Sequence, residues 1–131
     1  MSTRYLLDTS ALLLILKKDT TARHKLAIIG TENAYVASIS LGELYYGAEH
    51  STQVERNRAE VDELQRLSAV LLVDTVTARI YGLLKHQQRM KGLLLPENDL
   101  WIAATAVQYS LTLVARDRHF RWIDGLALEQ W

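Results

Sequence analysis

RYLLDTSALLLIL, residues 4–16, decides the fold class. Arg4 to Asp8 reads as a short strand. Thr9 and Ser10 then open a nearly all-apolar segment, Ala11 to Leu16, which stops at Lys17 and Lys18. A helix that is apolar all round is a buried one, so the chain leaves a strand directly for a helix packed inside the molecule.

The same alternation continues outward. A helical stretch over Ala22–Ile29 is stopped by Gly30, and Ala34–Ala37 is rich in strand formers. Ser40 is expected to open the next helix. Residues 52–68 set Val54, Val61, Leu64 and Leu67 near one helical face, with Glu55, Arg56, Arg58, Glu60 and Glu63 elsewhere. Val70–Val73 gives a third strand, Thr75–Lys91 a helix closed by Gly92, and Asp99–Tyr109 a helix beyond Pro96. Leu111–Ala115 is a fourth strand and Leu126–Glu129 a fifth. Strands separated by helices, with no hairpin signal between them, predict an α/β fold: a parallel sheet of four to five strands covered by helices on both faces.

Composition agrees with one domain spanning residues 1–131. The chain is 49% hydrophobic and 23% charged, with one proline and no cysteine, enough to bury a core. Disulfide and thiolate chemistry are excluded. The early apolar run is too short for a membrane span, so the expectation is a cytoplasmic protein with no membrane partner. Fifteen basic residues balance fifteen acidic ones. If bound cations neutralise four acids, 11 acidic residues face 15 basic ones, a surface compatible with a polyanion.

In a parallel sheet, ligands bind beyond the carboxyl ends of the strands. Asp8 ends the first strand, Glu43 lies near the start of the helix after the second, Asp99 starts the helix feeding the fourth, and Asp117 follows that strand by two residues. Each has an ordinary structural role available. Asp8 and Asp99 suit helix starts, Ser40 and Glu43 match the S-x-x-E capping box, and Asp117 suits an Asx turn. Carboxylates gathered in one pocket, however, repel unless a cation lies between them. A hard divalent ion, Mg²⁺ or Mn²⁺, takes oxygen ligands. His24, His50, His86 and His119 show no zinc spacing.

These segments carry a family resemblance: Leu7–Ala11, Ser38–Leu44 with Gly47, Asn98–Ala106, Leu113–Phe120 and the tail Ile123–Trp131. The chain resembles the PIN domain, and within it the VapC-type toxins of prokaryotic toxin–antitoxin pairs, over its whole length. The resemblance implies a metal-dependent endoribonuclease with Asp8, Glu43, Asp99 and Asp117 as its catalytic acids and metal ligands, Ser10 and Ser40 beside the first two, and Mg²⁺ or Mn²⁺ as cofactor. It implies RNA as substrate, a 5′-phosphate and a 3′-hydroxyl on the products, a homodimer, and a cognate antitoxin whose tail lies in a groove beside the acids. One departure stands out: Ala115 replaces the Thr or Ser usual two residues before the last acid.

Arg116, Arg118 and Arg121 surround Asp117 and are candidate phosphate ligands, with His119 a weaker one. Trp101, Trp122, Trp131, Tyr45 and Tyr46 suit either packing or base stacking. A phosphatase would want a second Asp where Ser10 stands, and a receiver-type domain would want adjacent acids on an early loop and a later lysine. The alternatives that remain are a PIN-like module that binds RNA or protein without cutting, and a housekeeping PIN nuclease without an antitoxin.

Overall fold

The computed structural model describes residues 3–131. Strands β1 (Tyr5–Leu7), β2 (Ala34–Ala37), β3 (Ala69–Leu71), β4 (Thr112–Ala115) and β5 (Leu128–Gln130) form one sheet in the order β3-β2-β1-β4-β5, with every pairing parallel. The helices are α1 (Thr9–Leu16), α2 (Thr20–Ile29), α3 (Ser38–Glu49), α4 (Val54–Leu67), α5 (Thr75–Lys91) and α6 (Glu97–Gln108), with 3-10 turns at Thr31–Asn33 and Arg118–Trp122.

Strand alternation divides the apolar residues between two cores. Leu6, Ala37, Leu113 and Ala115 face a core completed from α5 and α6 by Leu84, Leu100, Ile102 and Ala103. Their chain neighbours Leu7, Val36 and Val114 face the other core, with Leu12 of α1, Leu41 and Leu44 of α3, and Val61 of α4. The result is the expected three-layer α/β/α arrangement, with the sheet covered on both faces.

Element boundaries move by a few residues for identifiable reasons. The third strand ends at Leu71 because its last partner, Ala37, is where β2 gives way to α3, so Leu72 and Val73 are exposed. The fifth begins at Leu128, since the Leu126 N–H is turned onto the Ile123 carbonyl. Gly92 closes α5 in the left-handed conformation, φ 71°, which glycine adopts without a Cβ penalty.

The order matters for the site. After β1 the chain moves outward to β2 and β3, then returns across the sheet to place β4 on the other side of β1. At such a reversal the loops beyond β1 and β4 diverge and leave a crevice at their carboxyl ends. Asp8 and Asp117 follow these two strands.

Candidate active site

Asp8 leaves β1 with its backbone N–H still bonded to the Val114 carbonyl of β4, 2.9 Å away. Its side chain caps α1, Oδ1 accepting from the Ala11 N–H at 2.8 Å. The Ser10 hydroxyl lies 2.7 and 2.9 Å from the two carboxylate oxygens. Only 4% of Asp8 is exposed. Burial pushes its carboxyl from the ordinary 3.8 up to about 6; the Ala11 N–H and Ser10 hydroxyl oppose this, and the charges of Asp99 and Glu43 reinforce it. The helix-capping role and the gathering of acids therefore coexist in one residue.

Asp99 sits in the first turn of α6. Because α6 feeds a strand parallel to the others, it runs back across the sheet, and its N-terminus meets the carboxyl edge. Burial raises the Asp99 carboxyl, His119 opposes that shift, and the nearby Asp117 charge adds to it. Asp117 accepts from the His119 backbone N–H at 3.1 Å, the short-range turn expected of it.

The imidazole of His119 is bracketed by two carboxylates. Nε2 lies 2.8 Å from Asp99 Oδ2, and Nδ1 lies 2.8 Å from Asp117 Oδ1. The ring is partly buried beside Phe120, centroids 4.9 Å apart. The sequence ranks His119 below the arginines, yet it is the basic side chain that joins two of the acids. Its adjacency to Asp117 was the available signal; its contact with Asp99, 20 positions away, was not.

Glu43 corrects the capping-box reading. Helix α3 starts at Ser38 with Ala37 as its cap and no side-chain capping bond. The chain turns from β2 into α3 without an intervening loop, which puts Ser40 inside the first turn. There the Ser40 hydroxyl is buried without a hydrogen-bond partner. Glu43 stands about one turn further along α3, where Oε1 accepts from the Thr9 hydroxyl of α1 at 2.8 Å. Thr9 is a site residue that sequence reasoning missed, although it adjoins Asp8. Glu43→Gln keeps an oxygen for Thr9 and removes the charge. Thermal melting should therefore change by less than about 0.5 kcal/mol while cleavage falls; a destabilised variant with full activity would restore a purely structural role.

Arg116 and Arg118 are exposed, and neither guanidinium forms an ion pair with an acid among the described residues. The Arg116 backbone N–H approaches the Ser10 hydroxyl at 3.3 Å, in the region where Ala115 supplies no hydroxyl. Trp101 packs on Tyr81 with rings 3.9 Å apart and 3° from parallel. Trp131 packs against the core.

The chemical character of the acids suits a hard divalent cation: carboxylate oxygens, two of them on groups whose charge is disfavoured by burial. As placed, no three Asp, Glu or His side chains among the described residues are arranged as ligands of one ion. Hydrogen bonds hold the acids instead: the Thr9 hydroxyl donates to Glu43, the Ser10 hydroxyl to Asp8 and the His119 backbone N–H to Asp117, while the His119 ring Nε2 pairs with Asp99.

A parallel sheet of this order, with acids from β1, α3, α6 and the loop after β4 at its carboxyl edge, is the architecture of the PIN domain. The chain belongs to that family, whose model matches residues 5–126. It is 34% identical to ribonuclease VapC2 of Haemophilus influenzae, with 98% of each chain covered. It is 31% identical, again over 98% of each, to the tRNA(fMet)-specific endonuclease VapC of Salmonella typhimurium. Among solved structures it resembles DNA-bound VapBC from Salmonella typhimurium, with a TM-score of 0.92, 32% identity and 98% of each chain covered. It also resembles VapBC2 from Rickettsia felis bound to a promoter DNA fragment, with a TM-score of 0.91, 28% identity, and 98% of this chain and 99% of that one covered.

Proposed function

We propose that this chain is a divalent-metal-dependent endoribonuclease and the toxin of a VapBC-type pair, with Asp8, Glu43, Asp99 and Asp117 as its catalytic and metal-binding acids. The observation that carries the reading is electrostatic: Asp8, nearly buried, is driven up to about 6 at the sheet edge where Asp99 and Glu43 also place their charges. Ribonuclease relatives matching over 98% of both chains supply the substrate class.

Mg²⁺ or Mn²⁺, when bound, would offset the clustered charge, activate water and stabilise charge developing on phosphorus. The chain's own residues do the rest. Asp8 is fixed by Ala11 and Ser10, and Ser10 also meets the backbone that leads to Asp117. The Ser40 hydroxyl, one turn before Glu43, is fully buried and bonds none of the acids. Arg116 and Arg118 are free to engage phosphate oxygens of the RNA.

Beside Glu43 runs an apolar groove between α1, α3 and α4, lined among others by Leu13, Leu16, Leu44 and Val61. It suits an apolar segment of the antitoxin, which would then end next to the acids. Val76, Leu83 and Met90 recur at seven-residue spacing on α5 and are all more than half exposed, a stripe suited to the homodimer. No helix among the described residues is long and apolar enough to cross a membrane, and the proposed place of action is the cytoplasm.

The test is cleavage of pooled small RNAs in Mg²⁺, Mn²⁺ or EDTA. Activity should require the metal and should disappear in Asp99→Asn. That variant retains an oxygen toward His119 and removes one of the crowded charges, so the metal-free protein should melt at the same temperature or higher. Cleavage that persists in EDTA, or a strongly destabilised Asp99→Asn, would refute the metal reading.

A further inference from the structure

Glu43 stands between two hollows of different character. One is the apolar groove already described. The other, more open, is lined by Ser38, Ile39, Gly42, Glu43, Tyr46 and Asn98. Its side chains carry unused recognition chemistry. Tyr46 is 69% exposed, and its ring lies 7° from parallel to His50, centroids 5.8 Å apart. By contrast its neighbour Tyr45 is tied to α4 through Asp62 and Gln65. Asn98 is exposed, and neither its amide nor the Tyr46 hydroxyl joins a hydrogen bond within the described residues. Over Gly42 there is open space, since an added Cβ would meet nothing within 4 Å.

We propose that this second hollow is a nucleobase subsite, in which the base of a nucleotide next to the scissile phosphate stacks on Tyr46 and presents its edge to the Asn98 amide. The proposal rests on the reading of the acids as an RNA-cleaving site and names how that site selects sequence. Position supports it. Tyr46 lies three residues after Glu43 on α3, a spacing that makes the two neighbours on the helix surface. Asn98 immediately precedes Asp99 on α6. Each base-contacting side chain is thus carried by the same helix as a site acid, so a strand whose phosphate lies at the acids brings an adjoining base to the hollow.

The chemistry supports RNA over an apolar protein segment. An aromatic face accepts any base by stacking, and an amide offers both donor and acceptor to a Watson–Crick edge. Pre-stacking on His50 holds the Tyr46 ring parallel to a neighbouring ring, which lowers the ordering cost of adding a base to the stack. The aliphatic groove on the other side of Glu43 offers no such ring.

The experiment measures binding of fluorescein-labelled single-stranded RNA octamers, one for each base, in EDTA by anisotropy. Cleavage of the same octamers in Mn²⁺ gives kcat and KM. Tyr46→Ala should weaken binding by roughly 5- to 100-fold, the range for loss of one stacked base, and should raise KM with kcat nearly unchanged. Tyr46→Trp should keep the affinity. Asn98→Ala should alter the ranking of the four octamers. Gly42→Leu, which favours the helix while filling the hollow, should weaken binding without lowering the melting temperature.

Wild-type affinity in both Tyr46→Ala and Gly42→Leu would overturn the subsite while leaving cleavage, and so the ribonuclease reading, intact. Binding that depends on Tyr46 in a protein that cuts no RNA would support the subsite and defeat the nuclease reading. If Tyr46→Ala changes only the sedimentation of the protein, the hollow is a protein contact and the proposal falls.

Discussion

Asp8→Asn should abolish RNA cleavage and, in EDTA at pH 7.5, raise the melting temperature by several degrees. The two effects share one cause. In the folded chain the Asp8 carboxyl titrates near 6 instead of 3.8, mainly because it is buried. Between those values the folded state holds more protons than the unfolded state, so stability falls as pH rises from about 4 to about 6. Above pH 6 the penalty is complete, about 3 kcal/mol at 1.36 kcal/mol per unit. Asparagine carries no charge to desolvate and keeps an oxygen for the Ala11 N–H, so the α1 cap survives. The gain should shrink as the pH is lowered to 4 and vanish only below the ordinary 3.8, where aspartate is protonated in both states. On the proposed function, divalent metal should stabilise the wild type by binding its folded state and leave Asp8→Asn nearly unaffected. Loss of an outer-shell partner at a metal site costs about 10- to 100-fold in affinity or activity, and loss of a direct ligand should exceed that. Melting curves at pH 4, 6 and 7.5, with and without Mn²⁺, separate the two contributions. A less stable Asp8→Asn at pH 7.5 would contradict the burial argument, and retained cleavage would contradict the catalytic one.

How the site could be read from sequence depends on how local each signal is. Asp8 and Asp117 are placed by strand ends, and a strand end is marked by the few residues around it. The position of Asp99 needs the direction of α6, which follows only once β4 is known to be parallel to β1. Glu43 is legible at this edge from its place near the start of the helix after the second strand, but the capping box that S-x-x-E suggests for it is absent: α3 begins at Ser38, and the glutamate bonds Thr9 across 34 residues. Such a contact leaves no local pattern. The same holds for His119 and Asp99, paired through the return of the chain across the sheet. The ambiguous aromatics divide by burial: Trp101 is absorbed in packing on Tyr81, while Tyr46, on an equally helical stretch, remains exposed beside an acid. Helical spacing alone does not distinguish them, because it does not say which helix faces are covered.

Phe120→Ala should be the most damaging single truncation near the site, costing about 3–5 kcal/mol. Phe120 is 1% exposed and is among the largest fully buried side chains of the protein. It packs in the core that contains Leu100 of α6 and Leu113 and Ala115 of β4. The same residue lies in the 3-10 turn Arg118–Trp122, immediately after His119 and three residues beyond Asp117. Its ring is therefore the anchor that ties the loop bearing two site groups to the sheet. Against a total stability of about 5–15 kcal/mol for a domain, the loss should lower the urea midpoint sharply. Cleavage should fall further than the folded fraction accounts for, because a displacement of about 1 Å at a reacting centre can cost about 100-fold. Phe120→Leu refills most of the volume and should recover most of the stability. Activity should return with it if the ring acts only by anchoring. Urea denaturation with kinetics on the folded fraction decides the matter. A Phe120→Ala loss below about 1 kcal/mol would mean that the cavity collapses without cost and that the loop is held by its polar contacts alone, the His119 bonds to Asp99 and Asp117.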